Sequence, residues 1–168
     1  KIAWRVPKYF YIGNAYCFHL FPKKTQLEAM LEKTWGDHIF PVCVFAPVEE
    51  KDLIKIEEIL KLLSDWCQNK CVKIELVIND WGMAGLIRKK YPNQFLLTLG
   101  CLLSKQRRDT RMNYVNRNDN EFSKEKSQID APFYRQYLAK HFNITRVSFQ
   151  NSDIDKSFFT PDSMISMT

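Results

Sequence analysis

The stretch ELVINDWGMAG, residues 75–85, changes abruptly from apolar to polar residues. Residues 76–78 are an apolar run, and residues 79–82 read Asn-Asp-Trp-Gly. A surface hairpin would alternate apolar and polar residues, and this run does not. The pattern predicts a strand that is buried on both faces and whose far end delivers polar groups to a site.

Strands and helices alternate on both sides of this stretch. Apolar runs predict strands at 39–46, 72–78, 95–100 and 144–149, and the region 10–21 holds one more. Alternation with nearly unbroken apolar strands predicts a parallel sheet with right-handed crossovers. No G-x-G-x-x-G or Walker pattern follows a strand, so a nucleotide-binding Rossmann or P-loop domain is not expected.

The helices carry their own signals. Thr25 and Glu28 form a capping box that predicts a helix start, and Gly36 suits its C-terminal cap. A short helix is predicted from about Met83 to Lys90, and Pro132 opens another. The apolar stripe of the second helix consists of Leu53, Ile56, Ile59, Leu60, Leu63 and Trp66. The last helix carries Phe133, Tyr134, Tyr137, Leu138 and Phe142.

This order predicts an α/β fold, a parallel β/α barrel of the TIM type, in which catalytic groups lie at the C-terminal ends of the strands. Four or five strands cannot close such a barrel, so the barrel is expected to be incomplete in this chain. The chain is predicted to be a single domain, 1–168, with a basic loop at 104–128 and a polar tail at 152–168. No further strand–helix unit is expected in the tail, and the edge strand 144–149 is expected to be covered by residues beyond Thr168 or by a second chain.

Composition limits the function classes. The chain has 168 residues, 45% apolar, and a net charge of +6, which permits nucleic-acid contact without establishing it. Neither a signal peptide nor a membrane-length apolar run is found, so a cytoplasmic protein is expected. The five cysteines are odd in number and widely spread, which favours free thiols. Cys67 and Cys71 lack a second ligand pair, so a zinc site is not expected.

Three segments together resemble the collagenase-like peptidases of unassigned catalytic type, peptidase family U-32, which are mainly bacterial. They are VINDWGMAGLIRKKYP, FLLTLGCLLSKQRRDTRM and APFYRQYLAKHFNITRVSFQN. The resemblance covers residues 40–150, the N-terminal part of the barrel. It rests on the Asn-Asp-Trp-Gly turn after one strand and on a later strand followed by a basic, Arg-rich stretch.

The resemblance implies a β/α barrel and a hydrolase or substrate-modifying enzyme. Some relatives degrade collagen, and others act in oxygen-independent hydroxylation of ubiquinone precursors or of RNA. Several hold an iron–sulfur cluster with cysteines late in the chain, but this sequence has no such ligand set, so its cofactor is unknown. Cys101 also stands where relatives often have Arg.

Candidate site residues lie at the predicted rim. Asp80 and Asn79 are the catalytic candidates, and their alternative role is to cap the next helix and shape the turn. Trp81 either lines a pocket or covers the barrel mouth as core. Arg107, Arg108 and Arg111 of the basic loop are further candidates for substrate binding, and the alternative is that they form a solvated charge run. Asn151, a polar residue after the last strand, is the remaining candidate.

Three functions follow. The first is an enzyme, a peptidase or a related hydroxylation factor, that acts on a peptide or small-molecule substrate at the rim. The second is a non-catalytic subunit or adaptor that completes its barrel in a homo- or hetero-oligomer. The third is RNA binding through residues 105–126, which ranks last because only Tyr114 and Phe122 offer stacking surfaces there.

Overall fold

The computed structural model describes residues 8–104, 129, 131–149 and 165–167. Its strands form one sheet in which every pairing is parallel and the order follows the chain, β1-β2-β3-β4-β5-β6. The α/β prediction with a parallel sheet is therefore confirmed. The strands are β1 (Tyr9–Gly13), β2 (Phe40–Phe45), β3 (Glu75–Ile78), β4 (Leu96–Leu99), β5 (Arg146–Phe149) and β6 (Ile165–Met167).

Helices connect the strands. Short 3-10 turns at Phe18–Leu20 and Glu50–Asp52 precede the first two helices. No helix among the described residues is both long and apolar enough to cross a membrane. The helices are α1 (Lys24–Gly36), α2 (Leu53–Lys70), α3 (Trp81–Lys90), α4 (Cys101–Ser104) and α5 (Pro132–Phe142).

The strand register divides the sheet into two faces, because paired residues of parallel strands point to the same side. One face, with Phe45, Ile78 and Leu99 at one level, joins the apolar core that the helices cover. The opposite face, which we call the polar face, consists of the alternate positions and carries Glu75, Val77, Asn79, Thr98, Arg146 and Ser148. All four residues of β3 are buried, as predicted for a strand enclosed on both sides.

The predicted ends of the first helix are wrong by a residue or two. Lys23, not Thr25, is the N-cap, and its backbone N–H donates to Gln26 Oε1 at 3.2 Å. Pro22 stands just before this N-cap and restricts the preceding residue, Phe21, to extended backbone, which keeps Phe21 outside the helix. At the other end Gly36 is still helical, and His38 takes the left-handed conformation at φ 58°.

The last helix forms as predicted, and its apolar residues divide between the core and the surface. Leu138 is its one residue classed as buried, whereas Phe133 is 74% exposed and Tyr137 is 47% exposed. Leu138, Tyr134 and Phe142 thus face the core, and Phe133 and Tyr137 face outward.

The tail differs from its prediction, because residues 165–167 form a sixth strand. β6 pairs in parallel with β5, with Val147 opposite Ile165 and Phe149 opposite Met167. The edge of β5 is thus covered by the chain's own residues rather than by residues beyond Thr168 or a second chain. The remainder of the predicted tail and the basic loop from residue 105 to 128 lie outside the described residues.

Candidate functional site

Asn79 lies on the polar face at the C-terminal end of β3 and is buried, with 3% exposure. Its Nδ2 donates to the carbonyl oxygen of Phe45 at 2.9 Å, and its Oδ1 accepts from the backbone N–H of Leu102 at 3.1 Å. Both ends of the amide are therefore used by backbone groups of neighbouring segments. Asn79 holds the ends of β2, β3 and β4 together at the rim.

Gly100 is the position against which this amide packs. A Cβ placed on Gly100 would lie 2.1 Å from Asn79 Oδ1, far inside contact distance. The backbone N–H of Gly100 also donates to the carbonyl of Ile78 at 2.7 Å, which continues the pairing of β3 with β4. Glycine is required here because the rim leaves no room for a side chain.

Asp80 is half-buried and caps α3. Its Oδ1 accepts from the backbone N–H of Gly82 at 3.0 Å, and its own backbone is extended, as expected of an N-cap residue. The carboxylate therefore stands at the N-terminal end of a ten-residue helix. Of the two catalytic candidates, Asp80 has the accessible functional group.

Trp81, the next residue, is 37% exposed and contacts α5. Its ring centroid lies 5.4 Å from that of Phe142. The remaining candidates, Arg107, Arg108, Arg111 and Asn151, lie outside the described residues. The structure thus places Asn79, Asp80 and Trp81 in succession at the C-terminal end of one strand.

A buried ionic network on the polar face was missed by sequence reasoning. Thr98 Oγ1 donates to Glu75 Oε1 at 2.6 Å, and the guanidinium of Arg146 pairs with Glu75 Oε2. Exposure is 6% for Glu75 and 0% for Thr98. The network joins three strands across the middle of the sheet.

A period-two signal in the sequence could have revealed this network. In β3 and its extension the polar residues Glu75 and Asn79 stand four apart on one face, with Val77 between them, and in β4 and β5 polar or small residues stand two apart. The nearly unbroken apolar runs of the strands hide this alternation in the sequence. The corresponding positions in the later strands are Thr98, Gly100, Arg146 and Ser148.

The sheet curves toward the polar face. Arg146 on β5 lies over the ring of Tyr9 on β1, with 6.0 Å from Cζ to the ring centroid. Four strand spacings separate β1 from β5, about 19 Å in a flat sheet, and two side chains alone do not span that distance. At the rim, the Tyr16 hydroxyl after β1 likewise reaches to 3.8 Å from Cys101 Sγ after β4. The polar face is therefore concave.

Within the described part of the chain, no group of three or more His, Cys, Asp or Glu residues is placed to hold a metal ion. Arg146 Nε is buried without a hydrogen-bond partner. Chemically, the arrangement offers an accessible carboxylate at the rim and a carboxylate–guanidinium ion pair in the concavity below it.

No family model, curated protein or solved structure matches this chain.

Proposed function

We propose that this chain is an enzyme domain of the β/α barrel type, similar to the collagenase-like peptidases of family U-32. In this proposal it binds a peptide or small-molecule substrate at the C-terminal ends of its strands and hydrolyses or otherwise modifies it. The observation that supports it is the concave polar face, which carries Glu75, Thr98 and Arg146 beneath a rim formed by Asn79 and Asp80. Catalytic groups of β/α barrels lie at this end of the strands.

The residues take different roles in this proposal. Asp80 is the catalytic residue, a carboxylate that accepts or orients a substrate proton. Asn79 is a positioning residue, because its amide is engaged by Phe45 and Leu102 and fixes the turn that carries Asp80. Arg107, Arg108, Arg111 and Asn151 remain proposed substrate contacts, and Trp81 forms one side of the entrance.

The test separates the catalytic role of the Asp80 carboxylate from its role as the N-cap of α3. Asp80→Asn retains an N-cap oxygen and removes the charge, whereas Asp80→Ala removes both. The purified chain is assayed against fluorescence-quenched gelatin and a mixed quenched peptide library. We expect turnover by the wild type and at least a hundredfold loss in Asp80→Asn, with unchanged thermal unfolding.

Asp80→Ala is expected to lose the same activity and, in addition, about 1 kcal/mol of stability. If Asp80→Asn is as active as wild type, Asp80 is only a helix cap and the catalytic assignment is wrong. If the wild type cleaves neither gelatin nor any library peptide, the hydrolase proposal is wrong.

A second candidate function, a non-catalytic subunit, is favoured by the exposed edge at β1. Among the described strands β1 pairs with β2 alone, and Phe10 and Tyr11 are 41% and 38% exposed, beside Phe40 at 53%. An edge strand with exposed aromatic residues is a template for pairing with another chain. Light scattering after size exclusion tests the subunit function. A wild-type dimer that the Phe10→Lys substitution converts to a monomer supports it. A wild-type monomer at 100 μM, about the upper range for a specific assembly, contradicts it.

A further inference from the structure

Helices α3 and α5 pack side by side and share an unusual charge. They contain five Arg or Lys residues and no Asp or Glu, a net +5 against +6 for the whole chain. The cationic residues Arg88, Lys89, Lys90, Arg135 and Lys140 are all exposed. Only Lys90 among them has a described ion pair, with Glu57 at 2.6 Å.

Exposed aromatic rings lie among these cations. On α5, Phe133 and Tyr137 are four residues apart and project from one face together with Lys140 and His141. Successive rings on such a stripe are about 6 Å apart along the axis. On α3, Trp81 and Arg88 share a face, and Phe142 bridges the two helices with its ring 5.4 Å from Trp81 and 5.9 Å from the Arg88 guanidinium. We call the exposed residues Trp81, Arg88, Phe133, Tyr137 and Lys140 the α3–α5 surface.

We propose that the α3–α5 surface binds a single-stranded nucleic acid. Its cations would contact phosphates, and Phe133, Tyr137 and Trp81 would stack on unpaired bases, the combination by which sequence-tolerant single-strand binders work. The absence of acidic residues from both helices favours a polyanion. Lys140 within the surface, and Lys89 and Lys90 beside it, argue against a protein partner, since lysine is depleted at the cores of protein–protein interfaces.

Trp81 is the one residue that this surface shares with the proposed entrance, and the surface does not involve the carboxylate of Asp80. It supplies the stacking groups that residues 105–126 largely lack. Because it does not depend on the enzyme proposal, either inference can fail without the other.

The binding test uses the full chain and fluorescein-labelled 15-mers of oligo(U) and oligo(dT), followed by anisotropy at several salt concentrations. We expect both to bind, within about twofold of each other, since stacking and phosphate contact do not require the 2′-hydroxyl. A duplex of the same length is expected to bind at least about tenfold more weakly, because its bases are already stacked. Equal affinity for the duplex, or no binding at low salt, would overturn the proposal.

Two pairs of variants locate the site. Phe133→Ala/Tyr137→Ala is expected to weaken oligo(U) binding on the order of tenfold or more, and its exposed control is Leu20→Ala/Ile54→Ala. Arg88→Gln/Lys140→Gln is expected to reduce the slope of log affinity against log salt by about 1.4, at about 0.7 per phosphate contact.

The charge control is Lys24→Gln/Lys61→Gln, which makes the same change on exposed positions of α1 and α2. Thermal unfolding confirms that each variant is folded. If the control pairs weaken binding as much as the α3–α5 variants do, binding is not local to this surface. If removal of the two rings has no effect while a heparin fragment competes fully, the surface binds charge alone and the nucleic-acid proposal is wrong.

Discussion

At the scale of single residues, Asn79 and Gly100 act as one unit. The amide of Asn79 occupies the space that any side chain on Gly100 would need, and it satisfies two backbone groups at the rim. Unpaired buried backbone groups are costly, so neither residue can change independently of the other.

Substitution of Gly100 by Ala is expected to lower the free energy of unfolding by about 1–3 kcal/mol, the usual cost of overpacking. Gly85→Ala is the matched control, because a Cβ at that helical position meets nothing within 4 Å. It should raise stability by about 0.5–1 kcal/mol through helix propensity. Urea denaturation measures both, and a neutral Gly100→Ala would show that the rim is not packed as described.

The cysteines differ in reactivity for a physical reason. Burial raises the pKa of the Cys43 thiol far above its usual range, with a further contribution from the neighbouring Cys67, and burial also raises the pKa of Cys67. At pH 8 we expect Cys71, Cys17 and Cys101 to react with a disulfide reagent in the folded protein, and Cys43 and Cys67 to react only after unfolding. Rapid reaction of all five thiols without denaturant would contradict the described core.

The same shift predicts a pH dependence of stability. A thiol whose folded pKa is raised holds its proton more tightly in the folded state, so its contribution is complete below the unfolded pKa of about 8.5 and is lost above it. Each buried thiol should then cost up to about 1.4 kcal/mol per pH unit. Urea denaturation from pH 7 to 10 measures the loss, and Cys43→Ala should reduce its slope.

At the scale of elements, the Glu75–Thr98–Arg146 network ties β3, β4 and β5 together on the polar face. Removal of one partner leaves a buried charge, so Arg146→Met is expected to cost about 3–5 kcal/mol. The triple variant Glu75→Leu/Thr98→Val/Arg146→Met should recover most of that loss, because apolar groups of similar volume need no partners.

The exposed ion pair of Lys51 with Glu49 is the control for this series, and Lys51→Met is expected to leave stability unchanged. Denaturant unfolding of the four proteins, including wild type, measures these differences. A mild Arg146→Met would mean that Glu75 is hydrated rather than enclosed.

Sequence patterns predicted which segments form strands and helices better than they predicted where those segments end and which side chains are buried. The strands β2 to β5 and all the longer helices were predicted because apolar runs and helical spacing reflect burial directly. The cap at Lys23 was missed because a backbone N–H bonded to Gln26 leaves no Ser, Thr, Asp or Asn signal. β6 was missed because three residues are too few for periodicity, and their strand character comes from pairing with β5.

The candidate site was predicted in part. Asn79, Asp80 and Trp81 follow an apolar run, so their position at the end of a strand could be predicted from the sequence. Two features could not be predicted: the hydrogen bonds of the Asn79 side chain to backbone groups, and the contact of Arg146 with β1. Both depend on contacts between residues distant in sequence, which no local pattern contains.

At the scale of the whole molecule, β3 and β4 lie in the middle of the sheet and β1 and β6 at its edges. We expect the slowest amide hydrogen exchange at Leu76, Ile78 and Leu99, and faster exchange in β1 and β6, because edge strands open first. Truncation after residue 164 should accelerate exchange at Val147 and Phe149 and leave β3 unchanged. Equal protection of all strands would indicate an edge-free, closed sheet.

The strand order has a consequence for how the chain folds. Because each strand pairs with the strand before it, the contacts that define the sheet join consecutive segments of the chain, and relative contact order is lower than in a parallel sheet whose strand order departs from the chain order. A chain growing from a ribosome can therefore add each strand to a sheet already begun, without waiting for a distant partner. A ribosome-stalled series ending after β2, β3 and β4 should show stepwise protease protection rather than a single late transition.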